Sequence, residues 1–344
     1  MTSSSAGADP DAFAALQSLA ETLAIPVVGA PGSSCANFPY DDPLWLGVGA
    51  YQHLENADLV LLIGGRTPWY PPSKRRTSGR IISLNEHPIK GWLTYQNLQA
   101  DEYVEGDLAP TLGVLTEAIR RLGIDDVAVN ARLAKSRGLH DLLCTEIQNE
   151  RTAALARSNL NVAAICEIMT HSMPLDTIYV EETITHSALL KRHLPLNSSQ
   201  SYFRNSGGGL GQGLGISLGI KLAARDRPVA FFVGDGSMLY NPIIQALGAS
   251  KEYDLPILVV VLNNGGYASM KGGQQLFYPD GAASKRGFEH GVTINAPAFE
   301  DLGSHFGFFG ESVRVQLKDA RAKGCSPTWP TGRPRTIPTA TSRG

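Results

Sequence analysis

Two polar motifs in the second half of the chain combine residue types that could hold a metal ion. They are Gly-Asp-Gly-Ser at 234–237 and Asn-Asn-Gly-Gly-Tyr at 263–267, and each directly follows an apolar run. Asp235 offers a carboxylate, Asn264 an amide oxygen, and the adjoining loop a main-chain carbonyl. These hard oxygen ligands are too few to enclose a metal, and Mg²⁺ commonly completes its octahedron with phosphate oxygens and water. The motifs together predict a Mg²⁺ site that also holds a phosphate-bearing ligand.

The segment between the motifs has the length of a strand–helix–strand crossover. Asn241 followed by Pro242 is typical of a helix start, with an N-cap and then proline at the first helical position. A helix to Glu252 rises about 17 Å, and a return strand at Ile257–Leu262 covers about 20 Å. A right-handed crossover then returns the second motif to the sheet edge where the first one lies. Glycine in the first motif lets the main chain approach an anion, and the next helix start offers N–H donors.

Each motif also has a plainer interpretation. Gly-Asp-Gly alone is a common turn, and Asn-Asn-Gly-Gly alone is a common loop. Their spacing, and their position after matching strands, favours the metal–phosphate site over two unrelated turns.

The two motifs resemble the thiamine-diphosphate (ThDP) binding motif of the family that contains acetolactate synthase, benzoylformate decarboxylase and pyruvate decarboxylase. The resemblance implies that Asp235, the Asn264 side chain and the Gly266 carbonyl bind Mg²⁺, while Ser237 and Tyr267 contact the diphosphate. It also implies cofactor contacts from Gly234 and Gly236. The interval between the motifs is slightly longer than in many members, and we place the extra length at Leu239–Asn241.

A second resemblance lies upstream, in the segment Tyr-Phe-Arg-Asn-Ser-Gly-Gly-Gly-Leu-Gly at 202–211. In the family this segment runs along the cofactor, which implies contacts from Gly209 and places Leu210 as the apolar wedge that bends the cofactor. The alternative is a glycine-rich helix start packed closely on a strand. Thr185 and the main chain of Ile184 are further candidates for the diphosphate, although a threonine there could simply cap a turn. His186 is the only histidine that we place near a substrate, and a surface or packed histidine is the alternative.

The order of predicted elements indicates an α/β protein with two doubly wound parallel-sheet domains, because helical patterns alternate with short apolar runs. We predict a Rossmann-like central domain at 11–120, a linker and helix at 121–158, a ThDP diphosphate-binding domain at 159–310 and a disordered tail at 311–344. The predicted strands and helices are a helix at Asp11–Leu23, strands at Ile25–Val28, Leu59–Ile63, Arg80–Leu84 and Tyr103–Val104, helices at Leu139–Ala156 and Val162–Met169, strands at Thr177–Val180 and Val229–Val233, and a helix from the glycine-rich turn to Ala224.

The first block resembles the family's central domain, in which some members bind FAD or an adenine nucleotide. Gly-x-Gly-x-x-Gly does not follow any of its predicted strands, so a nucleotide there is only a weak prediction. Gly64-Gly65-Arg66 is interpreted as a turn at a strand end. The absence of this glycine fingerprint also weighs against a third function, a nucleotide-binding oxidoreductase.

The resemblance implies a ThDP- and Mg²⁺-dependent decarboxylase or carboligase acting on 2-oxo acids, and no residue of this chain receives a catalytic role. In the family a glutamate on a separate pyrimidine-binding domain activates the cofactor, and Glu181 and Glu182 lie on the wrong half of the site to replace it. We expect that domain from a separately encoded subunit or a homo-oligomer. We also expect the first Rossmann strand to be missing, so a truncated, inactive remnant or a regulatory ThDP-binding partner is the alternative.

Composition narrows the remaining classes. The chain has 344 residues, 43% hydrophobic and 18% charged, with a net charge of −2, which does not suggest binding to nucleic acid or an anionic membrane. Four scattered cysteines indicate neither a zinc site nor a disulfide framework. The first ten residues are small and polar, so we predict a cytoplasmic location.

Overall fold

The computed structural model describes residues 2–3, 5–65, 67, 69, 77–89, 100–157, 160–205, 208–287, 292–313 and 339–341. The chain divides into two compact units. The first comprises Met1–Asn149 with Pro195–Phe203, and the second comprises Glu150–Leu194 with Arg204–Gly344. Both contain helices around a mainly parallel sheet, which confirms the predicted α/β class. The domain boundaries given above stay a prediction.

The first sheet has six strands in the order β3-β2-β1-β4-β5-β6, and all its pairings are parallel. The strands are β1 (Thr2–Ser3), β2 (Val27–Gly29), β3 (Trp45–Val48), β4 (Leu59–Ile63), β5 (Arg80–Asn85) and β6 (Glu102–Glu105). Short 3-10 helices lie at Ala6–Ala8 and Tyr51–Leu54. The bounds of β4 match the prediction, and those of β2, β5 and β6 differ by one or two residues.

The expectation that the first strand is missing was wrong. β1 lies at the centre of the first sheet, where Thr2 pairs with Val28 on one side and Leu62 on the other. Two polar residues cannot produce an apolar run, so the sequence pattern gave no signal. The strand is defined by the hydrogen-bonding edges of its two neighbours.

Helix α1 (Pro10–Leu23) shows how local sequence shapes the first unit. The Asp9 side chain caps its start by accepting a hydrogen bond from the Asp11 N–H at 3.0 Å, and Pro10 occupies the first helical position. The helix ends at Ala24, which has a left-handed conformation. Its inner face, which includes Leu16 and Leu19, is fully buried in the core of the unit.

Helix α3 begins earlier than predicted. After α2 (Leu108–Leu122), a single helix covers Asp126–Ala156, so the stretch interpreted as a linker is helical from Asp126. The Asp125 side chain accepts a hydrogen bond from the Ala128 N–H at 3.1 Å and supplies the N-terminal cap. The error has a simple cause, because alanine, arginine, leucine and lysine favour helix even where the surface is polar.

The second sheet has six strands in the order β11-β12-β10-β9-β7-β8. The strands are β7 (Ile178–Glu182), β8 (Tyr202–Arg204), β9 (Val229–Gly234), β10 (Leu258–Asn263), β11 (Ser312–Val313) and β12 (Thr339–Thr341). The helices are α4 (Val162–Ser172), α5 (Ser187–His193), α6 (Gly213–Ala223), α7 (Asp235–Tyr240), α8 (Ile243–Glu252), α9 (Ala268–Phe277), α10 (Ala282–Lys285) and α11 (Phe299–Ser304). Strand β9 is almost fully buried, which fits its β-branched and aromatic sequence.

The predicted disordered tail contains two strands. β12 pairs in parallel with β10 and with β11, so both strands belong to the second sheet. For these segments the prediction of disorder was wrong, because pairing with an existing strand supplies the hydrogen bonds that a short polar segment needs. The rest of the predicted tail, 314–338 and 342–344, lies outside the described residues.

A group of charged side chains joins the end of α3 to α4 and α5. Arg151 contacts Glu167 at 3.2 Å, and both side chains are largely buried. Arg192 makes two hydrogen bonds of 2.8 Å to the carboxylate of Glu150. His193 Nε2 lies 3.3 Å from the same carboxylate, and its side chain is 1% exposed. Burial lowers the pKa of His193 from 6.5 to about 4, although the Glu150 charge opposes this.

We expect His193 to make the protein less stable in mild acid. The unfolded imidazole binds a proton below about pH 6.5, whereas the folded one stays neutral until about pH 4. The contribution of neutral His193 to the free energy of unfolding is therefore fully present above pH 6.5. It is lost as the pH falls toward 4, by an amount on the order of 3 kcal/mol. Urea unfolding at pH 7.5 and 4.5 measures it. His193→Asn should show a smaller loss between the two pH values than wild type, while His171→Asn, at a 61% exposed side chain, should not.

Candidate functional site

The predicted crossover between the two polar motifs is present. β9 and β10 are neighbouring parallel strands joined through α7 and α8, and Leu262 pairs with Gly234. Asp235 and Asn264 therefore follow adjacent strands at the same edge of the sheet. One detail of the prediction was wrong, because Pro242 and not Asn241 is the N-cap of α8. The side chain of Asn241 binds Leu214 and Ser237 instead.

Asp235 is a buried carboxylate with an unsatisfied oxygen. Its residue is 3% exposed, and within the described part of the chain its Oδ2 atom has no hydrogen-bond partner. Burial raises the pKa of Asp235, while hydrogen bonding from the main-chain N–H groups of Gly236, Gly265 and Gly266 opposes that shift. The carboxylate thus lies beside the loop that contains Asn264. A buried anionic oxygen without a donor is costly unless a cation accompanies it.

The loop after β10 holds Gly266 in a defined orientation. The Tyr267 N–H donates to the Val292 carbonyl at 2.8 Å, and the Ile294 N–H donates to the Gly265 carbonyl at 2.9 Å. Between these bonds, Gly266 is paired with Thr293 in an antiparallel bridge. In such a pair the N–H and C=O of Gly266 face away from the 292–294 segment. The Asn264 Oδ1 atom accepts the Gly266 N–H at 3.2 Å.

Gly236 and Tyr267 bring the two motifs into direct contact. A Cβ atom on Gly236 would lie 2.4 Å from Cε1 of the Tyr267 ring, so only glycine permits this approach. Ser237 is buried in the first turn of α7, and Gly234 ends β9 just before it. Hydrogen bonding to Tyr240 raises the pKa of Tyr267. The two motifs thus form one connected surface at the sheet edge.

These residues fit a Mg²⁺–diphosphate group. The site supplies one buried carboxylate oxygen, an amide oxygen and an outward-facing carbonyl, which is an incomplete set of hard ligands. Among the described residues there is no group of three or more His, Cys, Asp and Glu side chains that could hold a metal by itself. Glycine and the first turn of α7 allow main-chain N–H groups to approach an anion.

The other predicted residues lie on two loops of the same unit. Thr185 is exposed and Ile184 is 49% exposed, both on the loop after β7, which neighbours β9. Leu210 is half-buried and Gly209 exposed in the turn before α6. Within the described part of the chain, no hydrogen bond or ion pair links Thr185 or Leu210 to Asp235. Of the predicted segment 202–211, Ser206 and Gly207 lie outside the described residues, as does Arg66 of the turn predicted in the first block.

His186 lies close enough to the site for the charges of Asp235 and Glu181 to affect its pKa. Burial lowers the pKa of His186, and the charges of Asp235 and Glu181 oppose this. Glu182 and Asn241 were not predicted to contribute to the site, although both are buried beside it. A charged pair that ends an otherwise apolar strand is the signal that could have found Glu182, because buried charges need partners.

Two sequence-family models match the chain. The thiamine pyrophosphate enzyme central domain matches residues 5–115, and the thiamine pyrophosphate enzyme C-terminal TPP binding domain matches residues 184–325. Thiamine pyrophosphate is another name for ThDP, and the second match includes the site described above.

The chain belongs to the thiamine pyrophosphate enzyme family.

Curated relatives within the family include decarboxylases and synthases. Benzoylformate decarboxylase of Pseudomonas aeruginosa is 27% identical over 265 residues, which cover 74% of this chain and 46% of that protein. Acetolactate synthase isozyme 2 large subunit of Escherichia coli is 30% identical over 141 residues, 41% of this chain and 24% of that protein. The chain thus spans less than half the length of these relatives.

The fold of a solved family member is similar. The ThDP-dependent 4-hydroxybenzoylformate decarboxylase of Rhodococcus jostii has a TM-score of 0.74 at 22% identity and covers 100% of this chain and 61% of its own. Flavins and adenine nucleotides do not occur in these names, and the weak prediction of FAD in the first unit is not supported. No described helix has the length and apolar character needed to cross a membrane.

Proposed function

We propose that this chain supplies the Mg²⁺–diphosphate half of a ThDP-dependent enzyme that acts on 2-oxo acids. The observation that supports this most is the orphaned Oδ2 atom of buried Asp235 beside the Asn264 loop. A structural carboxylate at this depth would normally have all its oxygens hydrogen-bonded. A divalent cation would satisfy the orphaned oxygen and remove the cost of burying its charge.

Each residue has a defined task in this proposal. Asp235, the Asn264 side chain and the Gly266 carbonyl would hold Mg²⁺, and the metal would bind the diphosphate. Main-chain N–H groups at Gly236 and Ser237 would neutralise the remaining phosphate charge. Tyr267 packs against Gly236 and would cover the diphosphate from one side. Exclusion of water by these groups would strengthen each electrostatic contact.

Three residues, two in the turn before α6 and one in the loop after β7, complete the proposed cofactor contacts. Leu210 would act as the apolar wedge, with Gly209 beside it, and Thr185 would approach the diphosphate from the loop after β7. When bound, ThDP supplies the nucleophile and the electron sink for cleaving the bond next to the carbonyl of a 2-oxo acid. The chain's own residues bind and orient that group.

The activating glutamate is proposed to lie on a pyrimidine-binding domain. The names of the relatives favour a benzoylformate decarboxylase-like or acetolactate synthase-like reaction, and both act through the same cofactor. A separately encoded pyrimidine-binding subunit, or a second copy of a longer chain, would complete the site. The alternative is a ThDP-binding partner without activity. A cytoplasmic location stays a prediction from the sequence.

A binding titration followed by complementation tests the proposal. The purified chain should bind ThDP with Mg²⁺ present, and its affinity should fall by about tenfold or more in EDTA because the metal bridges protein and diphosphate. Adding the pyrimidine-binding domain of the Pseudomonas aeruginosa decarboxylase, with a mixture of 2-oxo acids, should then give decarboxylated products by mass spectrometry. Binding without turnover would favour the inactive partner. No Mg²⁺-dependent binding would reject the cofactor site.

A further inference from the structure

Strand β7 ends in two adjacent carboxylates that are both buried. Glu181 and Glu182 are each 1% exposed. Successive side chains of a strand point to opposite faces of the sheet, so the two groups reach different partners. Glu181 accepts hydrogen bonds from Thr183 and Ser187 and lies 3.1 Å from Nε of Arg204. Glu182 instead reaches the start of α6.

The Glu182 carboxylate caps the N-terminus of α6. Its Oε1 atom accepts the Gly211 N–H, and its Oε2 atom accepts the Gly213 N–H at 2.5 Å. The residue at the N-cap position, Gln212, makes no capping hydrogen bond with its own side chain. A carboxylate from a distant strand thus satisfies N–H groups that a helix start leaves without partners, and its charge suits the positive end of the helix dipole.

Asn241 extends this cap to the helix that begins with Asp235. Its Nδ2 group lies 3.3 Å from Glu182 Oε2 and donates to the Ser237 carbonyl at 3.0 Å. Its Oδ1 atom accepts the Leu214 N–H at 3.0 Å. Glu182 and Asn241 therefore link β7, the turn before α6, and α7.

Close main-chain packing makes this link demanding. Gly211 has φ +92°, and a Cβ atom there would lie 2.4 Å from the Tyr240 carbonyl oxygen at the end of α7. A Cβ on Gly213 would lie 2.2 Å from the Phe231 ring. The turn can approach α7 and β9 this closely only with glycine at both positions. Hydrogen bonds from Glu182 and Asn241 then hold this flexible glycine turn in one conformation.

We propose that Glu182 is a positioning residue for the cofactor site: it fixes the turn that carries Leu210 against α7, which carries Asp235. This inference rests on the proposed function. The N-terminus of α6 is not available to the diphosphate, because the Glu182 carboxylate already accepts its N–H groups.

Glu182→Gln tests the proposal, with Glu181→Gln as the matched control. Glutamine keeps the size but can accept at only one oxygen, so one glycine N–H loses its partner. The ThDP affinity of Glu182→Gln, measured with Mg²⁺ well below the unfolding temperature, should fall about tenfold. Glu181→Gln changes an equally buried carboxylate whose hydrogen bonds to Thr183 and Ser187 lie within its own loop and helix start. It should change affinity much less, even if it lowers the melting temperature.

Hydrogen exchange measures the same effect without cofactor. In Glu182→Gln the amides of Gly211, Gly213 and Leu214 should exchange about tenfold faster than in wild type. In Asn241→Ala the amides of Gly213 and Leu214 should exchange faster. In Glu181→Gln the exchange of these amides should not change. Unchanged exchange in the first two variants, or equal loss of affinity in both glutamate variants, would overturn the role of Glu182. If the wild type binds no ThDP, the proposed function fails. If exchange is then still faster in Glu182→Gln but not in Glu181→Gln, Glu182 caps α6 but does not position a cofactor site.

Discussion

Asp235→Asn is expected to abolish Mg²⁺-dependent binding of ThDP, with an affinity loss of about 100-fold or more, since even partners behind a metal ligand are worth 10- to 100-fold. Asparagine keeps the shape and one oxygen but removes the negative charge that holds the cation. The protein without cofactor should be as stable as wild type, or more stable, because burial already disfavours the ionised carboxylate. Calorimetric titration and thermal unfolding measure the two quantities.

The combination of lost binding and unchanged stability separates a ligand from a structural carboxylate. A structural Asp235 would instead lower the melting temperature when replaced. Asp226→Asn is the matched control. Asp226 is an exposed carboxylate three residues before the start of β9, whereas Asp235 follows the end of that strand. It should bind ThDP like wild type. Equal affinities of wild type and Asp235→Asn in Mg²⁺ would reject the metal site.

The parts of the fold that the sequence predicts well are those with a continuous apolar signal. Strands β4, β9 and β10 are apolar runs of valine, leucine, isoleucine, phenylalanine and alanine, each bounded at its end by glycine or asparagine. Their bounds differ by at most one residue from the prediction. Strands β1 and β12 have no such run, because β1 is Thr-Ser and β12 is Thr-Ala-Thr. Their existence depends on neighbouring strands that lie far away in the sequence.

The same distinction applies to the site. The pairing of Asp235 with the Asn264 loop followed from one crossover, whose length can be estimated from helix and strand rises. The cap at Glu182 depends on contacts with residues 29, 31 and 59 positions away, which lie in the turn before α6, at the start of α6 and between α7 and α8. Periodicity describes one element at a time: it predicted a strand that ends at Val180, whereas β7 continues to Glu182. It does not indicate which partners make the burial of Glu182 tolerable.

Gly266→Ala is expected to disrupt the site through the main chain alone. A Cβ atom at this position would lie 2.2 Å from the Val292 carbonyl oxygen, which is a backbone atom and cannot move aside like a flexible side chain. The loop must shift, which should destabilise the protein by about 1–3 kcal/mol. The Gly266 carbonyl and the Asn264 side chain would move with it, so the ThDP affinity in Mg²⁺ should fall by about tenfold or more.

The neighbouring glycine provides a control that separates the clash from the loss of a glycine. Gly265 has φ +70°, a conformation that asparagine tolerates, and a Cβ atom there would meet nothing within 4 Å. Gly265→Asn should therefore keep most of the affinity and stability that Gly266→Ala loses. If the two variants bind ThDP equally well, the contact between the loop and Val292 does not set the position of the metal ligands. If Gly265→Asn loses ThDP binding while Gly266→Ala keeps it, binding requires the left-handed backbone at Gly265. The position of the Gly266 carbonyl is then not important for binding the metal.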